Sequence, residues 1–114
     1  MFAVIKPEEL SGNSGAGHNG ITLKPIVGKN MGSAGLSVNL VEVEPGGVLD
    51  AHRHQISEHC YYILEGEMLV VTDTSRLLLT QGMAIWIGPN ELHGIANESN
   101  KPTKYLAITA PPTR

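Results

Sequence analysis

Residues 51–62 read AHRHQISEHCYY and residues 89–94 read PNELHG, and these two stretches hold four of the chain's five histidines. His52 and His54 stand two apart. On a strand such positions face the same side, so both imidazoles project toward one point and form a bidentate clamp. His59 opens the next apolar run and His93 follows a bend expected at Gly88-Pro89-Asn90, so a closed barrel brings both to the same interior. Imidazoles on rigid strands, with coordination positions left open, suit Mn, Fe, Co, Ni, Cu or Zn. A lone His-x-His is common on exposed strands, so the weight lies in the full set of four.

Outward from these stretches the chain is a series of short apolar runs: ITLKPIV, LSVNLVEVE, CYYILEGEMLVVT, RLLLT, MAIWI and KYLAITA. Gly, Pro, Asn or Asp separates them, and none sustains the period of a long amphipathic helix, which describes an all-β sandwich or barrel. Pro45-Gly46-Gly47 is expected to end a strand. Asp73-Thr74-Ser75-Arg76 reads as a hairpin loop, and Asn90 suits the left-handed region at its bend. A short helical turn fits Lys6 to Leu10, where Pro7, Glu8 and Glu9 suit a helix start. The tract SGNSGAGHNG from Ser11 to Gly20 has little apolar surface to bury. The chain therefore divides into an N-terminal segment with a flexible loop, 1–20, and one barrel domain, 21–114, with His18 solvated in the loop.

A length of 114 residues suits one core. Eight Lys and Arg against eleven Asp and Glu, with few aromatics, lack the positive footprint of a nucleic-acid binder. No apolar run approaches the roughly 18 residues that span a membrane, and MFAVIKPEEL lacks the layout of a signal peptide. A soluble, cytoplasmic protein is the expectation. The single Cys60 allows neither an internal disulfide nor a thiolate zinc site. By alternation it points away from the His59 face and reads as a small buried hydrophobe. Tyr61 and Ile63 share the His59 face, Trp86 reads as core, and Glu42, Glu44, Glu65, Glu67 and Glu91 read as solvated charges. In the last run, Tyr105, Ala107 and Thr109 alternate with Leu106 and Ile108, and either set fits the interior.

The spacing resembles the cupin superfamily. Gly46, five residues, His52-Arg53-His54, four residues, His59, six residues and Gly66 follow its first motif. Gly82, five residues, Gly88-Pro89-Asn90, two residues, His93, three residues and Asn97 follow its second. His59 stands where that family usually has glutamate, as in small single-domain cupins with four histidine ligands. Gly88 and Asn90 replace a proline and a glycine of the second motif. Glu58 is the rival ligand, but it spoils the count to Gly66 and, as a neighbour of His59, faces the other way.

The resemblance implies a double-stranded β-helix holding one divalent metal, Mn or Fe favoured and Ni, Zn, Co or Cu also fitting, on His52, His54, His59 and His93. Four neutral imidazoles leave the ion its full charge, which favours an anionic ligand at the open positions. Oxidation of a small anionic organic molecule by a dioxygenase is the leading expectation. A metal-dependent isomerase or lyase and a non-catalytic binding or sensing module are the alternatives, while a structural metal is disfavoured. Proton transfer falls to metal-bound hydroxide, to Tyr61 as a cavity residue, or to the substrate itself. A barrel this small, with Cys60, Tyr62 and Leu64 facing out, is expected to pair as a homodimer.

Overall fold

Val41 and Val43 alternate with Glu42 and Glu44, a pattern that buries one strand face and solvates the other. In the computed structural model, which describes residues 1–14 and 18–113, they lie in a long strand, β2 (Ser37–His52), with both valines buried and both glutamates exposed. One edge of β2 pairs with β1 (His18–Val27). Its other edge changes partner along its length. Residues 37–43 pair with the final strand, β8 (Thr103–Ala110), and residues 48–52 pair with β7 (His93–Ala96). Beyond β8 the sheet continues to β3 (Glu58–Glu65) and then β6 (Ala84–Ile87). Beyond β7 it continues to β4 (Glu67–Val71) and β5 (Arg76–Thr80), every pair being antiparallel.

The path is therefore β5-β4-β7-β2-β8-β3-β6, with β1 alongside β2. Because β2 belongs to both halves, the sheet wraps back on itself as a nearly closed jelly-roll barrel, the all-β architecture expected. Its interior is filled by Val41, Val43, Ile63, Met68, Val70 and Ile95, each at most 1% exposed. Among the described residues no helix is long and apolar enough to cross a membrane.

Pro45-Gly46-Gly47 does not end a strand. It is the bend at which β2 passes from β8 to β7, and β1 follows it with a register shift at Gly20. Gly46 has φ 83° there, and its N–H donates to the Asn97 carbonyl at 2.8 Å. A side chain at Gly47 would lie 2.7 Å from Val43 Cγ1 and 2.8 Å from the Gly20 carbonyl oxygen, so the crossing needs glycine. Buried Asn97 locks the corner, its amide donating to the carbonyls of Val43 and Lys101 at 3.0 and 2.8 Å.

Other local expectations fare variously. The run CYYILEGEMLVVT is two strands, broken at Gly66, whose φ is 83°. Thr72 and Ser75 close the β4–β5 hairpin through a 2.8 Å backbone bond. Asn90 adopts φ 63°, as its bend requires, and a 3-10 turn spans Pro7–Glu9. A second 3-10 turn, Lys29–Met31, follows β1 and was not legible in the sequence. The Ser11–Gly20 tract is partly strand: β1 starts at His18, which pairs with Leu49, and Asn13 bridges Leu23. Residues 15–17 and the His18 side chain lie outside what the structure describes.

Trp86 is corrected outright. It is 67% exposed, because β6 alternates and its buried position is Ile87.

Candidate functional site

His52 ends β2 directly opposite His93 on β7. The two strands approach this closely because the residue after His93 is Gly94, where a Cβ would lie 2.8 Å from the Leu49 carbonyl oxygen. His54 lies just past β2, and its carbonyl accepts the Asn90 N–H at 2.7 Å, tying it to the bend that leads into β7. His59, on β3, is paired across the sheet with Thr109 of β8.

The four rings converge. Ring centres are 4.8 Å apart for His52 and His54, 4.5 Å for His52 and His93, and 4.9 Å for His54 and His59. His59 and His93 are 5.2 Å apart, and His54 and His93 are 6.2 Å apart. Glu58, the rival, stands on the outside, where its carboxylate accepts the Trp86 indole N–H at 2.8 Å.

Three rings are held from behind. Nδ1 of His52 and Nδ1 of His93 lie 2.9 Å from the carbonyl oxygens of Asp50 and Glu91, each two residues upstream. A carbonyl only accepts, so in the neutral ring Nδ1 carries the proton and Nε2 has a free lone pair. Nδ1 of His59 lies 2.9 Å from the Thr109 hydroxyl. Nε2 of His59 and Nε2 of His93 are buried with no hydrogen-bond partner. An unpartnered buried polar atom is costly, and such atoms in native folds call for an explanation. Among the described residues, no group of three or more His, Cys, Asp or Glu is placed so that it could hold a metal ion as it stands, so the four imidazoles converge without forming a ready coordination shell.

Electrostatics favour the neutral form of His59 and His93. Burial, followed by the neighbouring imidazoles His93, His54 and His52, lowers His59 to about 4. Burial also lowers His93, against the raising effect of its bond to the Glu91 carbonyl. Burial pushes the phenol of Tyr61 up, which favours its neutral, hydrogen-bond-donating form.

The histidines 52, 54 and 59 open onto a solvent-connected cavity of about 680 Å³. Tyr61, Tyr105, Ala107 and Thr109 line it, so the inward set of the last strand is now assigned. Ile63 shares the inward face of His59 and Tyr61, whereas free Cys60 is only half-buried on the opposite face. Two parts of the site escaped the sequence reading. Thr109 gave no signal, because both faces of β8 are apolar enough for the interior. The β1 wall, Ile21, Leu23, Pro25 and Val27, looked like ordinary strand.

The chain matches the Cupin domain family over residues 39–109, more than half its length, and it belongs to that family. The protein MJ1618 of Methanocaldococcus jannaschii, which is uncharacterized, is 41% identical over 61 residues, 54% of this chain and 49% of that protein. The chain thus spans about half the length of that relative. The polyketide cyclase RemF from Streptomyces resistomycificus matches with a TM-score of 0.90 at 22% identity, covering 98% of this chain and 81% of that one. A predicted oxalate decarboxylase from Thermotoga maritima matches with a TM-score of 0.86 at 21% identity, covering 96% of this chain and 100% of that one. Identities this low establish the fold alone.

Proposed function

We propose that His52, His54, His59 and His93 hold one divalent transition metal and that the chain uses it on an anionic organic molecule, with dioxygenase-type oxidation as the reaction. The observation that carries this is the pair of buried, unpartnered Nε2 atoms of His59 and His93 inside a cluster of four imidazoles. Ring spacing supports it. Metal–nitrogen bonds of about 2.0–2.1 Å put ring centres roughly 4.5 Å apart for adjacent ligands and about 6.4 Å apart for opposite ones. The observed separations of 4.5 to 6.2 Å fall within those limits.

When bound, Mn or Fe would supply a Lewis-acid anchor for a carboxylate or enolate and a redox partner for oxygen. The chain does the rest. Asp50, Glu91 and Thr109 hold the rings by their far nitrogens, which fixes where the near nitrogens point. Tyr61, a neutral phenol on the same face, offers a proton to an oxygen of the bound molecule. The closed barrel behind it, floored by Val41 and Tyr105, keeps water from the deep side.

A second reading, a redox-neutral cyclase, isomerase or lyase, is favoured by the names of the two structural neighbours. The same experiment separates the two. Protein loaded in turn with Mn, Fe, Ni or Zn is given enolisable keto acids, diketones and hydroxy acids, with oxygen uptake followed beside product. Turnover confined to Mn or Fe with matching oxygen consumption is the expected result, whereas equal turnover with Zn selects the redox-neutral reading. Failure of every loaded form to bind any anion sets both aside and leaves a binding module.

A further inference from the structure

We propose that the cavity beside the histidines takes a ring-bearing compound of drug-like size with an oxyanion head, and that β1 and Lys29, not the histidines, select it. This rests on reading the histidine cluster as a metal centre for the head group, and it narrows the substrate to a class that a short-chain acid does not represent.

The argument starts from volume. Pockets of roughly 300–1,000 Å³ enclose drug-sized ligands, and this one measures about 680 Å³. Pyruvate or another short acid bound at the imidazoles would leave most of that space to water. The remaining walls are mixed, an apolar strip on β1 standing beside Asn13, Ser37 and Asn39. Ile21, Leu23, Pro25 and Val27 of β1 all line the cavity, the register to β2 shifting between Pro25 and Val27. Val41 of β2 and Ala107 of β8 add to the same surface.

Apolar surface of this extent gains by meeting an apolar body, and a hydrated gap over it gains nothing. Asn13 and Asn39, which pair with Leu23 and Pro25, give the middle of the wall hydrogen-bonding groups, and the histidines and Lys29 also line the cavity. The imidazoles and the neutral Tyr61 phenol suit an enolate, phenolate or carboxylate. Beyond Val27 the chain turns through Gly28, Lys29 and Asn30, which form part of the rim. Among the described residues, Lys29 and Asp50 are the charged residues lining the cavity apart from the histidines. A cation on the rim favours a compound with a second anionic or oxygen-rich substituent.

Equilibrium titration of Zn-loaded protein with hydroxynaphthoate and dihydroxyanthraquinone, against pyruvate and acetylacetone, tests the assignment. The ring compounds are expected to bind at least about ten-fold more tightly than the short ones. Val27→Trp, which fills the cavity from β1, should weaken the ring compounds by a similar factor while leaving metal content and pyruvate binding unchanged. Lys29→Glu lies on the exposed rim, where folding is not at risk, and should weaken hydroxynaphthoate, which carries a carboxylate beside its hydroxyl, more than dihydroxyanthraquinone, which has none. Pyruvate binding as tightly as the ring compounds, or ring compounds indifferent to both substitutions, overturns the proposal. Ring compounds that still bind after chelation, with selectivity intact, support the cavity assignment while removing the metal reading.

Discussion

The two faces of β3 carry side chains of similar apolarity and opposite fates. His59, Tyr61 and Ile63 point inward and are at most 6% exposed, whereas Tyr62 on the outer face is 41% exposed. Across the sheet, Cys60 sits between Trp86 and Ile108, and Tyr62 between Ala84 and Leu106, so the outer face is as apolar as a core layer. Period-two alternation sorts side chains into two sets, and apolarity then names the buried one. In β3 apolarity does not discriminate, and what does is chemistry: the set containing His59 is where the other three imidazoles converge.

The sharpest way to break this comparison is to delete one side chain from each face at adjacent positions. His59→Ala should lose nearly all bound metal, measured by elemental analysis after exhaustive dialysis, because it removes a converging donor. Glu58→Ala should keep it, because the Glu58 carboxylate is engaged with Trp86 on the outside. The reverse result would transfer the ligand role to Glu58.

The same contrast should appear in stability. Ile63 is fully buried, so Ile63→Ala is expected to cost about 2–5 kcal/mol in denaturant unfolding, while Tyr62→Ala on the outer face of the isolated chain should cost less than about 1 kcal/mol. Equal losses would mean that the outer face is already covered. The expected cover is a second copy of this chain. Met1, Phe2 and Val4 are also almost fully exposed, which adds apolar surface in need of a partner. Light scattering should give twice 12.2 kDa, and Tyr62→Glu with Trp86→Glu should return it to that single mass.

The barrel was legible because short apolar runs are separated by turn residues such as Asn90, which takes positive φ, although the break at Gly66 inside CYYILEGEMLVVT went unread. The four histidines were legible because imidazoles are scarce and spacing sets their side. What escaped was decided by distant pairing. Pro45-Gly46-Gly47 looks like a terminator, yet a bend that changes partners keeps β2 in the sheet, since β1 accompanies it and Asn97 satisfies its backbone. The short β7 contains Gly94 and only one strong β-former, Ile95, so it left no run to detect. Trp86 was misplaced because hydrophobicity alone carries no information about which face of an edge strand is covered.

The smallest effect concerns pH in the metal-free protein, and it belongs to the inner face. Unfolded histidine titrates near 6.5, whereas burial and the surrounding imidazoles lower folded His59 to about 4. Between those values the unfolded chain holds a proton that the native chain refuses, so each step toward acid favours unfolding. His93 is lowered as well and acts in the same direction. Above about 6.5 both states are neutral at these rings, so their contribution is constant. The melting temperature in chelator should therefore be flat with respect to these groups from pH 8 to about 6.5, fall from there toward pH 4, and gain no further slope from His59 below it. His59→Gln should remove part of that slope. A melting temperature that rises as pH falls through this window would show that His59 is stabilised by charge, which its buried position among three other imidazoles opposes.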